Sequence, residues 1–139
     1  MGTNGNRETF ELWIAAHRAH DIATMLTLVT DDVTIASAAG SAMPAALGKD
    51  QARRHWHTIY GTFPDMRMEA VDLTTDGDTV FAEISHGGTM QGPMGDKAPT
   101  GKSYNVTGAF RIDFTEGKIR SIKSYWDTAA MARQLGLMS

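Results

Sequence analysis

Cysteine is absent from the whole 139-residue chain. That removes disulfides, a thiol nucleophile and any thiolate metal site. It is in keeping with a reducing compartment, and a cytoplasmic location is expected. Long apolar runs are missing too: none approaches the roughly 20 residues that a membrane span needs. The opening "MGTNGNRETF" holds no apolar segment that could serve as a signal peptide, and reads as a loose tail over about residues 1–6. Basic clusters are lacking as well. The net charge is −3 and the only adjacent basic pair is Arg53-Arg54, so the electrostatic footprint of a DNA- or RNA-binding protein is not there.

What is present is ordinary for a globular chain: 42% apolar and 21% charged residues. The length suits one domain over residues 1–139. At this size roughly two-thirds of the unfolded surface can be buried, enough for one core or one walled cavity but not both in bulk. Phe10, Trp13, Ile14 and His17 recur at helical spacing and mark an amphipathic helix over residues 7–18. Asp21 can cap a second helix with the stripe Ile22, Met25, Leu26 and Val29. "DDVTIAS" predicts a short strand, followed by the loop "AAGSAMPAALG". A third helix runs from about Asp50, with Ala52, Trp56, Ile59, Tyr60 and Phe63 on one side, until Pro64 stops it.

Beyond Pro64 the period changes to two. Residues 65–74, 78–90, 103–114 and 118–126 predict four antiparallel strands, turned by "TDGD", by the loop from Gln91 to Lys102 and by "TEGK". A last short helix begins near Asp127, with Met131 and Leu135 inward. Helices first and then a sheet is the α+β order.

The loop contains "GDKAPTGKS", which looks like a phosphate-binding loop. The spacing is wrong: such a loop needs four residues between its first Gly and the Gly-Lys-Ser, and here Asp96 stands where the Gly should be. The context is wrong as well, because Gly-Lys-Ser leads into the strand "YNVTGAFRIDF" rather than into a helix whose amides could hold phosphate. ATP binding is excluded.

The segment "APTGKSYNVTGAFRIDFTEGKIRSIKSYWD" resembles the last hairpin of the SnoaL-like polyketide cyclases and the limonene epoxide hydrolases, both of the nuclear transport factor two-like superfamily. "AHDIATMLTLVTDDV", "FPDMRM", "GTMQGPMG" and the closing "RQLGL" are similar to SnoaL-like features, so the likeness runs from about residue 8 to 137. It implies a cone-shaped barrel in which helices pack into a strongly curved antiparallel sheet around an internal apolar pocket. It also implies a homodimer formed through the outer face of the sheet, where Thr107, Arg111, Lys123 and Tyr125 are expected. Both families carry an acid/base Asp on the final strand, three residues before its terminal acid or Asn. If Asp127 is that terminal residue, Ser124 takes the Asp position. The hydrolases' Arg-x-Asp has no counterpart on strand 78–90; "RID", Arg111 to Asp113, falls one strand later. Their Tyr and Asn on the first strand are matched by Ala38 and Gly40. Epoxide hydrolysis by that mechanism is disfavoured.

His86 is the most informative residue. It falls in the alternating set Val80, Ala82, Ile84, His86, Gly88 and Met90, which should face the concave side. Burial would keep its imidazole neutral, and so available as a base; the alternative is a core histidine bonded to a backbone carbonyl. His17 completes the inward stripe of the first helix, as a pocket residue or as a satisfied core residue. His55 and His57 are two apart, about 200° around a helix, so they are expected on the surface beside Trp56 rather than on a metal. Ser124 and Trp126 share the inward face of the last strand, while Asp127 caps the last helix or reaches the pocket mouth. Trp13, Tyr60, Met90, Phe110 and Trp126 are the candidates for the pocket wall.

The expectation is a small enzyme needing no cofactor and no metal, with no nucleic-acid or membrane partner. It would bind a small apolar, cyclic or polyketide-like molecule and catalyse cyclisation, isomerisation or elimination. His86 would be the base and Ser124 a hydrogen-bond donor. The alternative is a non-catalytic binding or carrier domain on the same fold, which the missing Asp favours.

Overall fold

The structure, a computed structural model, describes residues 3–38 and 45–138; Gly40, one of the two first-strand positions, lies outside them. Helix α1 is Thr3–Arg18 and α2 Ile22–Thr27, followed by strands β1 Val29–Ser37 and β2 Ala46–Leu47, then helix α3 Gly48–Thr62. A meander of β3 Arg67–Asp76, β4 Thr79–Thr89, β5 Ser103–Thr115 and β6 Lys118–Tyr125 leads to α4 Thr128–Gln134.

The α1 stripe is as its spacing predicts: Phe10, Trp13, Ile14 and His17 are all buried. The helix starts earlier than expected, however, which corrects the loose tail. Asn6 continues the stripe one turn upstream, buried, and its amide donates to Asp78 at 3.0 Å. A periodicity read from apolar residues alone misses a stripe position held by a buried amide. Asp21 caps α2, accepting from the Thr24 amide at 3.1 Å and its hydroxyl at 2.6 Å. These bonds favour the charged carboxylate and lower its pKa. Helix α3 ends at Thr62, two residues before Pro64, in line with the restriction that proline imposes on the residue before it.

The sheet is six-stranded, curved and unclosed, in the order β2-β1-β6-β5-β4-β3. The four predicted strands pair antiparallel. The strand from "DDVTIAS" joins the same sheet and pairs parallel with β6, Ile35 opposite Ile122 and Ser37 opposite Ser124. The meander brings β6 back alongside β1 in the same direction. In the β5–β6 turn Glu116 and Gly117 both have positive φ, as a two-residue hairpin of this hand requires. Gly101 is followed by β5 and not by a helix, so the Gly-Lys-Ser lacks the amide cradle of a phosphate loop.

Helices α1 and α3 lie on the concave face and share one core with β4, β5 and β6. A smaller cluster of Phe63, Met90, Tyr104, Val106 and Leu135 forms beside α4. Thr107, Arg111, Lys123 and Tyr125 are exposed on the outer face. No described helix is long and apolar enough to cross a membrane.

Candidate active site

Between the helices and the sheet lies a cavity of about 290 Å³, at the lower end of the range for small-molecule sites. Helix α1 contributes Trp13 and His17, α3 contributes His55, Trp56 and Ile59, and the concave strands contribute Met68, His86, Phe110, Ile122 and Ser124. Helix α4 and its end close one side with Met131, Ala132 and Leu135. Among the described residues, none of the lining side chains is Asp, Glu, Lys or Arg.

His86 is where the alternation of β4 predicts it, 2% exposed and lining the cavity. Its Nδ1 lies 2.9 Å from the hydroxyl of Tyr104, not against a backbone carbonyl, and its Nε2 is buried without a partner among the described residues. Burial lowers its pKa to about 4. His17 lines the cavity as well, with its Nδ1 2.9 Å from the Tyr60 hydroxyl. Burial, aided by the neighbouring His20, His55 and His86, lowers its pKa to about 3. Both tyrosine hydroxyls are pushed up by burial and stay protonated. The two imidazoles end one arc of aromatic contacts: His17 to Trp13 at 5.1 Å, Trp13 to Phe110 at 5.3 Å, Phe110 to Trp126 at 4.9 Å, and Trp126 to His86 at 4.1 Å.

Trp13, Phe110, Ser124 and Trp126 thus line the cavity as expected. Two wall candidates do not, and of the two places open to Asp127 it takes the helix cap. Tyr60 stands behind His17, stacked on His20 at 3.9 Å. Met90 turns into the cluster beside α4, because β4 has by then run past the cavity. Asp127 is exposed and caps α4, accepting from the Ala130 amide at 3.0 Å. His55, expected on the surface, lines the cavity, while His57 is exposed. His55 sits three residues after Ala52 and four before Ile59, on the inward face of α3, and its pKa is lowered by burial.

Sequence reasoning passed over Tyr104 and Ser37. Tyr104 shares its face of β5 with Phe110, six residues on, so period-two counting could have placed it. Ser37 depends on the parallel pairing of β1 with β6, which sets it beside Ser124. Its hydroxyl is buried without a partner among the described residues. The Ser124 hydroxyl is 3.5 Å from the Ala36 carbonyl, too far for a strong bond. Gly108 was missed as well. A Cβ there would overlap the indole of Trp126, so the glycine is the notch in which that ring rests.

The sequence model of the SnoaL-like polyketide cyclases matches residues 7–135. The chain belongs to that family. Among solved structures it is similar to a candidate SnoaL-like polyketide cyclase from Jannaschia sp. CCS1, at 17% identity and a TM-score of 0.87 over 99% of this chain and 95% of that one. TsrD from Streptomyces laurentii is 18% identical, with a TM-score of 0.84 over 99% of both chains. TerC, co-crystallised with polyporic acid, is 17% identical, with a TM-score of 0.80 over 95% of this chain and 98% of that one. These likenesses extend the fold, ketosteroid isomerase-like in another neighbour, from Catenulispora acidiphila DSM 44928, to nearly the whole chain. None of the curated proteins matches the chain.

Proposed function

We propose that this SnoaL-like chain is a small cofactor-free enzyme that moves a proton on a neutral cyclic or polyketide-like carbonyl compound, in cyclisation, isomerisation or elimination. The observation that carries this reading is the pairing of an uncharged apolar cavity with two buried imidazoles, His86 and His17, kept neutral by burial. A neutral imidazole near pH 7 can take or lend a proton, which is the task of a general acid or base. A lining without a single formal charge disfavours a carboxylate or phosphate ligand, since a buried unpaired anion is costly. Three lining residues nevertheless hold buried polar atoms without partners: Trp13 Nε1, Ser37 Oγ and His86 Nε2. A substrate with oxygens on an apolar frame would satisfy them. Polyporic acid in TerC and the family assignment support a polyketide-like ring. Packing through the outer face of the sheet as a homodimer belongs to the same proposal, tested by solution mass at micromolar concentration.

The second reading is a carrier that only binds. It is favoured by Ser124 if, as the resemblance implies, that residue takes the family's acid/base Asp position. The test is deuterium uptake from D₂O into neutral cyclic ketones such as β-tetralone, followed by mass spectrometry. Exchange that is faster than in buffer and saturates with ketone concentration supports the enzyme. Binding of the ketone without exchange would sink it and put the carrier ahead.

A further inference from the structure

The two imidazoles are held alike but not equivalently. A neutral imidazole has one N–H, and a tyrosine hydroxyl has one proton to give. The nitrogen that carries the hydrogen therefore follows from where each tyrosine can send its own. The Tyr60 oxygen is 2.9 Å from His17 Nδ1, but also 3.2 Å from the His17 carbonyl and 3.4 Å from the sulfur of Met25. It can donate to the carbonyl while accepting from Nδ1–H. Every group on that side is then satisfied, and His17 Nε2 keeps its lone pair.

Tyr104 has only His86 Nδ1 within reach among the described residues, at 2.9 Å. If Nδ1 were the donor, the Tyr104 O–H and the buried Nε2 would both be left unpaired. If Tyr104 donates to Nδ1, only the Nε2–H is unpaired. The second arrangement leaves fewer buried groups unsatisfied and is the lower in free energy. His86 therefore carries its hydrogen on Nε2, the buried atom without a partner.

Resting on the proton-transfer reading above, we propose that the two imidazoles divide the work: His17, backed by Tyr60, takes the proton, and His86, fixed by Tyr104, donates to the oxygen on which negative charge gathers. The substrate class is narrowed to a neutral ketone with a hydrogen on the carbon next to its carbonyl. The C–H bond breaks, the proton passes to His17 Nε2, and the electron pair moves onto the carbonyl oxygen as an enolate. The enolate accepts from His86 Nε2–H, a fixed donor of the oxyanion-hole kind. The proton returns to carbon at the same or another position, so atoms and charge balance with no further reactant. Because Nε2 of His86 is buried, the oxygen must enter in place of a neighbouring ring. Of the two rings packed on His86, Tyr104 is buried and Trp126 is half-exposed, so Trp126 gives way.

Two measurements on the intact chain test this. Long-range ¹H–¹⁵N NMR at pH 7, assigned with His17→Gln and His86→Gln, reads the tautomers. Expected are a protonated Nδ1 on His17 and a protonated Nε2 on His86; the reverse on either ring overturns the division. In the exchange assay with β-tetralone, His17→Gln should lose about 10²–10⁴-fold, the usual contribution of a positioned base. His86→Gln should lose about tenfold or less, since its amide N–H still donates, whereas His86→Ala should lose about 10²–10³-fold as an oxyanion donor. If His17→Gln keeps the wild-type rate while His86→Gln loses it, the roles are wrong although the enzyme reading survives. If the wild-type chain exchanges nothing, the enzyme reading falls and the division falls with it, whatever the tautomers.

Discussion

On three of the concave strands the inward row changes from aliphatic to polar along its length. On β4, Val80, Ala82 and Ile84 are followed by His86; on β6, Ile119 and Ile122 by Ser124; on β1, Val33 and Ile35 by Ser37. Pairing keeps two of these changes in line, Ile35 opposite Ile122 and Ser37 opposite Ser124. One end of the sheet is thus closed by aliphatic side chains, while the other surrounds a cavity with imidazoles and hydroxyls. The difference teaches that the fold is stabilised at one end and carries unsatisfied polar groups at the other. Substitutions at the two ends should therefore register in different measurements.

The largest effect is expected at the closed end. Ile84 and Ile112 are fully buried in the main core, and truncating either to Ala should destabilise by about 2–5 kcal/mol, through lost transfer energy and the void left behind. Urea denaturation would show this as a lower midpoint with an unchanged slope. The contrast between the two ends breaks if Ile112→Ala costs less than removing an imidazole from the cavity end.

Acid comes next, and between pH 7 and 5 it acts chiefly on the buried imidazoles of the cavity end. Folding lowers the pKa of His86 from 6.5 to about 4 and that of His17 from 6.5 to about 3. Below about pH 6.5 the unfolded chain binds protons that the folded chain does not, so stability falls with falling pH until the folded values are reached. Each imidazole contributes about 2 kcal/mol of this loss by pH 5, at roughly 1.4 kcal/mol per pH unit. Denaturation midpoints at pH 7 and 5 should differ accordingly, and by less in His86→Gln. An equal pH difference in the variant would count against the buried neutral ring.

Gly108→Ala follows. The new methyl overlaps the Trp126 indole, and overpacking of this kind costs about 1–3 kcal/mol. The ring should shift, which tryptophan fluorescence and near-UV circular dichroism would register. An unchanged spectrum would show that Trp126 does not rest in that notch.

The helices and the meander were legible because their apolar residues repeat at 3.6 and at two, the periods that one-sided burial imposes. His86 was legible for the same reason. What escaped depended on contacts between distant segments. Asn6 and His55 are polar residues on buried helix faces, where an apolar count skips them. Met90 was assigned to the wall from strand alternation, but where a strand leaves the cavity is set by the third dimension. The side-by-side serines needed the parallel pairing of β1 with β6, which no local pattern announces.

The smallest effect is expected at those serines, and it sharpens the contrast most. Ser124 makes only a 3.5 Å contact to the Ala36 carbonyl, and Ser37 has no partner for its hydroxyl. Neither hydroxyl contributes a strong internal bond, so Ser124→Ala and Ser37→Ala should leave stability unchanged within about 0.5 kcal/mol, as for sites away from any destabilising mechanism. Removing a buried hydroxyl that lacks a partner should even stabilise slightly at Ser37, because its desolvation is no longer uncompensated. If the hydroxyls meet the substrate, ketone exchange should fall by the equivalent of about 0.5–1.5 kcal/mol for one hydrogen bond, roughly two- to twelvefold. Paired measurements of denaturation and exchange on the same preparations decide this. A stability loss with exchange intact would return both serines to the structural end of the sheet, whereas exchange lost at constant stability would assign them to the cavity.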